Sequence, residues 1–328
     1  MIKNPYWGKD FFDFFSLFFQ RLINGEIVTR GLTSDEIQIF ALSLGGIGAA
    51  LVGSFLIFRK MAMLANALSH VVLLGIVIAY LLVTPFSTVK FYEFNFEVLM
   101  LAALVTGILT TFVTQFVHAQ LKLQADASVG LIFTTFFALG ILLVTIFTRN
   151  AHIGIEVIMG NVDALHFQDL KTVFWIVFFD LFFICIFFKE FQLIAFDEGF
   201  AKSVGVSVQF FHYLLMMLVS LTVIGMFRAM GALLVLSFLV GLPLIARFFT
   251  DKVSHLLWIA AGFALLSSFL GVALSRHILS VHHIAISTSG LVVTLIGLFF
   301  LASLCFSPKQ GLIVLALKRR HWKNLKTK

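Results

Sequence analysis

Ala65-Asn66-Ala67-Leu68-Ser69-His70 places an amide, a hydroxyl and an imidazole inside a stretch that otherwise reads as hydrocarbon, shortly after the basic pair Arg59-Lys60. At helical pitch Asn66 and His70, four residues apart, share one face. Polar side chains in a membrane segment are costly unless they line a water path or find partners, so a functional role is their first reading.

The surroundings make this a membrane segment. The 328-residue chain is 60% hydrophobic and only 12% charged, with 41 phenylalanines; a soluble domain carries roughly twice that share of charge. Composition therefore defines an all-α, polytopic helical membrane protein. The net charge of +7 does not indicate a nucleic-acid footprint, because much of it lies in the basic tail, residues 309–328, where the positive-inside rule places it on the cytoplasmic side. Cys185 and Cys305 each sit in a long apolar run and read as buried hydrophobes, with neither a disulfide framework nor metal-ligand spacing.

Hydropathy and bilayer thickness place about nine spans, near residues 36–58, 68–83, 96–118, 128–148, 170–188, 210–227, 232–249, 255–274 and 284–306. Residues 1–35 form an N-terminal arm. Its Phe11–Phe19 run is interrupted by Asp13 and closed by Arg21, which fits an interfacial helix better than a span or a signal peptide. Residues 36–308 form the transmembrane domain. With the tail inside, 14 of the 23 Lys and Arg residues fall on the cytoplasmic side. His152, His166, His277, His282 and His283 then fall on the outer loops, and His277, His282 and His283 form a candidate metal-attracting vestibule, since neutral imidazole is a common transition-metal ligand.

In the first span Gly45, Ala49 and Gly53 recur every four residues, a small-residue stripe for close helix approach within the subunit or across a dimer. A second polar island, residues 196–206, reads as a short cytoplasmic helix between spans five and six. Asp197 is placed as its N-cap, Glu198 in its first turn and Gly205 at its C-terminal stop. Asp180 breaks the fifth span and suits pairing with a basic residue or backbone donor in the bundle, or a place lining the cavity, Pro243 marks a kink in the seventh, and Asp126 reads as a cap for a helix starting at Ser128.

Taken together and in order, these pieces resemble the ABC-type zinc/manganese/iron permeases. Phe196-Asp197 with Ala201 and Gly205 is similar to the coupling segment of that family. The run from Gly231 to Ala246, with Leu233-Leu234-Val235 and Pro243, is similar to its Gly-x-Leu-Leu-Val stretch ending at a proline. Arg59-Lys60-Met61 with Ala67-Leu68-Ser69-His70 resembles its Arg-Arg-Met and Asp-Ala-Leu-Ser-His elements, and Phe306-Ser307-Pro308 with Gly311-Leu312 resembles its ending.

The resemblance implies a type II ABC-importer-like permease subunit of the bacterial inner membrane, working as a dimer. Its partners would be a cytoplasmic ABC ATPase that docks on Asp197, Glu198, Ala201 and Gly205, and an extracytoplasmic metal-binding protein. The cargo would be Mn, Zn or Fe, with no cofactor bound permanently. The chain itself is not expected to be an enzyme, since it contains no Gly-x-x-x-x-Gly-Lys-Ser/Thr phosphate loop. The family's Asp and His on the opening stretch imply a metal path; His70 matches the His, but Asn66 stands where the family has Asp. A neutral amide is a weaker ligand than a carboxylate. Either a paralogous partner permease supplies the aspartate, or the site is weak, or this half does not ligate; Asn66 favours the paralogous partner over a homodimer. The alternatives are a cobalamin or siderophore-type permease, an ion-gradient-driven metal transporter, for which Asp180 is the one clear intramembrane carboxylate, and a haem-bearing electron-transfer subunit using His70, His118 or His212.

Overall fold

A computed structural model describes residues 5–59, 61–83, 96–121, 124–147, 160–307 and 311. Among the described residues every regular element is helical: α1 (Phe11–Ile23), α2 (Glu26–Arg30), α3 (Ser34–Phe58), α4 (Ala62–Val83), α5 (Phe96–Leu121), α6 (Ala125–Phe147), α7 (Phe167–Ile186), α8 (Phe188–Phe196), α9 (Glu198–Ser203), α10 (Val208–Met230), α11 (Ala232–Leu236), a π segment (Ser237–Gly241), α12 (Leu242–Phe249), α13 (Val253–His282) and α14 (Thr288–Phe306), with a 3-10 turn at Val162–Ala164.

Among the described residues six helical stretches are long and apolar enough to cross a membrane, and α7 with α8, bent by 73°, makes a seventh if the pair is one span. The expected count of nine is not confirmed: at α4 and α5 the described apolar stretches are the shorter Asn66–Ala79 and Leu104–His118.

The core is built around α3, which packs against α13, α7, α10 and the π segment. A helix apolar on all sides is a buried helix, and α3 has that character. Its small residues serve contacts within the subunit: Gly45 faces Met226 and Met230 of α10, and Gly48 faces Val177 of α7. At Gly53 the backbone of α3 lies directly on the Leu239 carbonyl of the π segment, with no room for a Cβ. Pro243 explains that carbonyl. Lacking an N–H, it cannot return a bond to Leu239 four residues back, while Leu242 N–H donates instead to Ser237 O, five back. The sequence-based kink is therefore a π-bulge, with glycine of the central helix filling the opened place.

The N-terminal arm is tied to the start of α3 by a buried polar cluster. Tyr6 Oη and Arg21 Nε each donate to Glu36 Oε1 at 2.8 Å, and Thr33 N–H donates to Glu36 Oε2 at 2.8 Å. Burial, then the Glu36 carboxylate, push the Tyr6 hydroxyl well above its ordinary pKa. Helix α1 buries Phe14 and Phe18 against the bundle, where Phe18 meets Phe269 edge-on, and exposes Phe12, Leu22 and Ile23. One apolar face of α1 thus lies on the bundle and another points outward.

Two ends of the bundle are distinguished by their polar contacts. At one, Arg276 of α13 pairs with Asp35 of α3, and Thr288 of α14 donates to Asp163. At the other lie Arg59, α8, α9 and the contact of Ser307 with the Phe248 carbonyl. Cys185 is exposed on α7 rather than buried, because the face carrying Phe174, Phe178 and Phe182 points out of the bundle. Helix α6 starts at Ala125, so Asp126 lies in its first turn and does not cap Ser128; the Ser128 hydroxyl donates back to Gln124 O at 3.2 Å.

Candidate translocation and coupling sites

The polar island at 196–206 folds as a short helix closed at both ends. Asp197 holds an extended backbone, and its Oδ1 accepts from Phe200 N–H at 3.0 Å, the N-cap geometry. At the other end Val206 N–H donates to Ala201 O at 2.9 Å and Gly205 N–H to Lys202 O at 3.1 Å. This is a Schellman motif, and it requires the left-handed backbone that Gly205 adopts with φ +87°. Ala201 is fully buried, whereas Glu198, Phe200 and Lys202 are exposed. The helix thus sits on the bundle by one small residue and presents the rest outward.

A long-range ion pair pins it. Arg59, at the C-terminal end of α3, donates from Nη2 to Glu198 Oε1 at 2.6 Å across 139 positions of sequence. The Arg59 side chain is 10% exposed and that of Glu198 52%. Burial lowers the Arg59 pKa, and the Glu198 carboxylate works against that shift. The first turn of α9 is therefore tethered to the central helix of the core.

Between this pair and the ends of α5 and α10 lies a cavity of about 660 Å³, whose walls include Met61, His118, Glu198, Lys202 and His212. His212 is 8% exposed, and neither ring nitrogen has a hydrogen-bond partner. At the opposite end of the bundle a second cavity of about 530 Å³ is lined by Asp35, Gln38, Asp163, Ser275, Arg276 and Thr288. Its polar groups engage one another: Arg276 pairs with Asp35, and Thr288 links Asp163 to Ser275.

Asn66 and His70 both lie on α4. Asn66 is exposed, while His70 is half-buried with its ring 5.4 Å from Phe133 and 5.3 Å from Phe137 of α6. Both of these ring neighbours are aromatic and carry no metal-ligating atom. Among the described residues no group of three or more His, Cys, Asp or Glu side chains is arranged to hold a metal ion. His277 and His282 approach with ring centroids 6.0 Å apart, and His277 also meets Phe11. His283 ends α13 in a left-handed conformation with φ 56°. His166 precedes α7, its N–H donating to Asp169 Oδ2 at 3.0 Å. His152, Lys60, Pro308 and the tail from 312 to 328 lie outside the described residues.

Asp180 is fully buried between α7 and α10, and Thr222 Oγ1 lies 2.7 Å from its Oδ2 and 2.8 Å from Leu218 O. A hydroxyl carries one proton, so it can donate to only one of these acceptors. The arrangement is an interhelical tie. The Arg59–Glu198 pair and the Tyr6–Arg21–Glu36 cluster were not legible in the sequence, because each joins residues far apart in the chain and no spacing rule reports such contacts. His212 stood there only as a haem-ligand alternative, and its unpartnered ring is visible only in the fold.

Apolar helices around a buried central helix, polar side chains on α4, and a capped helix tethered at one end define a multi-pass membrane protein of the permease class. Residues 37–307 match the ABC 3 transport family, and the chain belongs to that family. It is 38% identical over 301 residues, 92% of this chain and 94% of the relative, to a "Probable metal transport system membrane protein" of Chlamydia muridarum. It is 31% identical over 288 residues, 84% of this chain and 92% of the relative, to the "Manganese transport system membrane protein MntD" of Bacillus subtilis. Among solved structures it resembles "PsaBC from Streptococcus pneumoniae in complex with Fab", with a TM-score of 0.70 and 25% identity over 90% of this chain and 99% of that one. The family and the apolar helices place the chain in the bacterial inner membrane as a multi-pass transport component.

Proposed function

We propose that the chain is the membrane permease subunit of an ATP-driven importer that moves a divalent transition metal (Mn, Zn or Fe) into the cytoplasm. A separate cytoplasmic ATPase docks on α9, an extracytoplasmic metal-binding protein delivers the ion, and a second permease subunit completes the path. The observation that carries this reading is α9 itself: an outward-facing helix with both ends capped, tied by Glu198 to the end of the central helix. Such a lever passes a push from a docked motor into α3 without local melting, because the caps satisfy its free backbone groups. Family membership and the names of the relatives support the metal cargo.

The path on this side consists of His70 and Asn66 on α4. His70 offers a neutral imidazole and Asn66 an amide oxygen, and a carboxylate from the partner permease completes a set suited to a transition metal. His277 and His282 form a paired outer vestibule, with His283 beside them at the end of α13. Asp180 Oδ2 lies against Thr222 while its Oδ1 is buried without a hydrogen-bond partner, so an ion-gradient mechanism through this carboxylate is the alternative that Asp180 variants test.

The test is metal uptake by vesicles holding the complete transporter, with Gly205→Val or Asp197→Ala in this chain. Gly205 has open space around it but a positive φ, so a β-branched residue strains the backbone by about 1–2 kcal/mol and unseats the cap. Uptake should fall while the complex still assembles. Persistent uptake without ATP, or with both caps removed, would end the ATP-driven reading.

A further inference from the structure

We propose that the cavity between α5, α9 and α10 is a release station for the transported metal, where His212 and His118 ligate the ion after it leaves the α4 face. The inference rests on the import reading above.

The first observation is His212. A side chain more than nine-tenths buried, with neither ring nitrogen hydrogen-bonded, is an anomaly in a folded protein. It lines a cavity large enough for a hydrated ion, and a second imidazole, His118, lines the same cavity from α5. Neutral imidazole is a common ligand for transition metals, and two imidazoles with water make a weak site. Weakness suits release, because fewer protein ligands than on the α4 path hold the ion here.

The second observation is position. Met61, immediately before α4, lines this cavity, and Asn66 and His70 follow five and nine residues later. At helical rise these lie about 8 and 14 Å further along α4. The cavity is therefore at the cytoplasmic foot of the face proposed to carry the metal.

The third is the charge around it. Arg59 and Lys202 line the cavity, and Glu198 offsets Arg59. The remaining positive charge shortens the ion's stay.

The experiment uses the purified full-length chain in nanodiscs with Mn²⁺ as probe, read by electron spin echo for nitrogen coupling, alongside vesicle uptake by the complete transporter. His212→Gln should lower Mn²⁺ affinity of the cavity by about tenfold, the order expected on disturbing a metal's ligand environment, remove one nitrogen coupling and slow uptake. His118→Gln, at the half-buried end of α5, should act in the same direction; it keeps the test open if His212→Gln does not fold. His70→Ala should leave the coupling from the cavity in place. Unchanged nitrogen coupling in both His212→Gln and His118→Gln, with uptake at the native rate, overturns the release station while leaving the import reading intact. Native protein that neither binds Mn²⁺ nor takes up any transition metal overturns both. Loss of uptake with unchanged coupling assigns His212 to packing alone and also overturns the proposal.

Discussion

Removing either partner of the Arg59–Glu198 pair should have unequal consequences, and the inequality follows from exposure. Two unit charges about 4 Å apart interact by about 1 kcal/mol in water and about 4 kcal/mol at a protein surface of effective dielectric 20. Glu198 is half in solvent and Arg59 is nearly enclosed, so the pair lies between these limits. Solvent screening and the entropy of holding two long side chains lower the net figure, leaving a coupling of about 1–2 kcal/mol. Glu198→Gln abandons a mostly buried guanidinium, which is the costlier defect; Arg59→Gln leaves a carboxylate that water can solvate. The double variant should be milder than the sum of the two. A double-mutant cycle checks this, with thermal inactivation of the reconstituted transporter and metal moved per ATP hydrolysed measured for all four forms. The expected pattern is Glu198→Gln worse than Arg59→Gln in stability, with reduced coupling ratios in both. Strict additivity, with an interaction energy below about 0.3 kcal/mol, would refute the tether and its role in carrying motion from α9 into α3.

Gly53→Ala should be severely destabilising, by about 3 kcal/mol or more, because the new Cβ meets the Leu239 backbone, which cannot rotate away; Gly262→Ala, where nothing lies within 4 Å, should be neutral or slightly stabilising in the same thermal assay. Asp180→Asn should retain transport and stability within about 1 kcal/mol, since an amide still bonds Thr222, whereas Asp180→Leu removes the interhelical bond and costs about 0.5–1.5 kcal/mol, the Thr222 hydroxyl still reaching Leu218 O; uptake and melting of the two variants decide between a tie and an ion-carrying carboxylate. His70→Ala should lower metal uptake, and Asn66→Asp should be tolerated or change which metal is preferred; unchanged rate and selectivity in both would remove this α4 face from the path.

Local features of this chain were readable in advance because their causes are local. The caps of α9 come from Asp197 and Gly205 within eight residues of each other, and short-range sterics and hydrogen bonding specify both ends. Apolar runs announced the helices for the same reason. At α4 and α5 the described apolar stretches are shorter than a full span, and the count of nine is not confirmed there. The Pro243 signal was present but its outcome was not: whether a proline kinks a helix or opens a π-bulge depends on what fills the opened place, and here that is Gly53, 190 positions earlier.

The sequence by itself determined the membrane class, the helical segments, the family resemblance and the residues from which α9 is built, because composition, periodicity and capping act over a few residues. Tertiary structure alone decided which small residues of α3 meet which neighbours, that Glu198 holds Arg59, that Asp180 ties α7 to α10, and that His212 and His118 share one cavity. Those contacts join residues tens to more than a hundred positions apart. Their partners are selected by how apolar helices pack, and no local pattern in the chain records that choice.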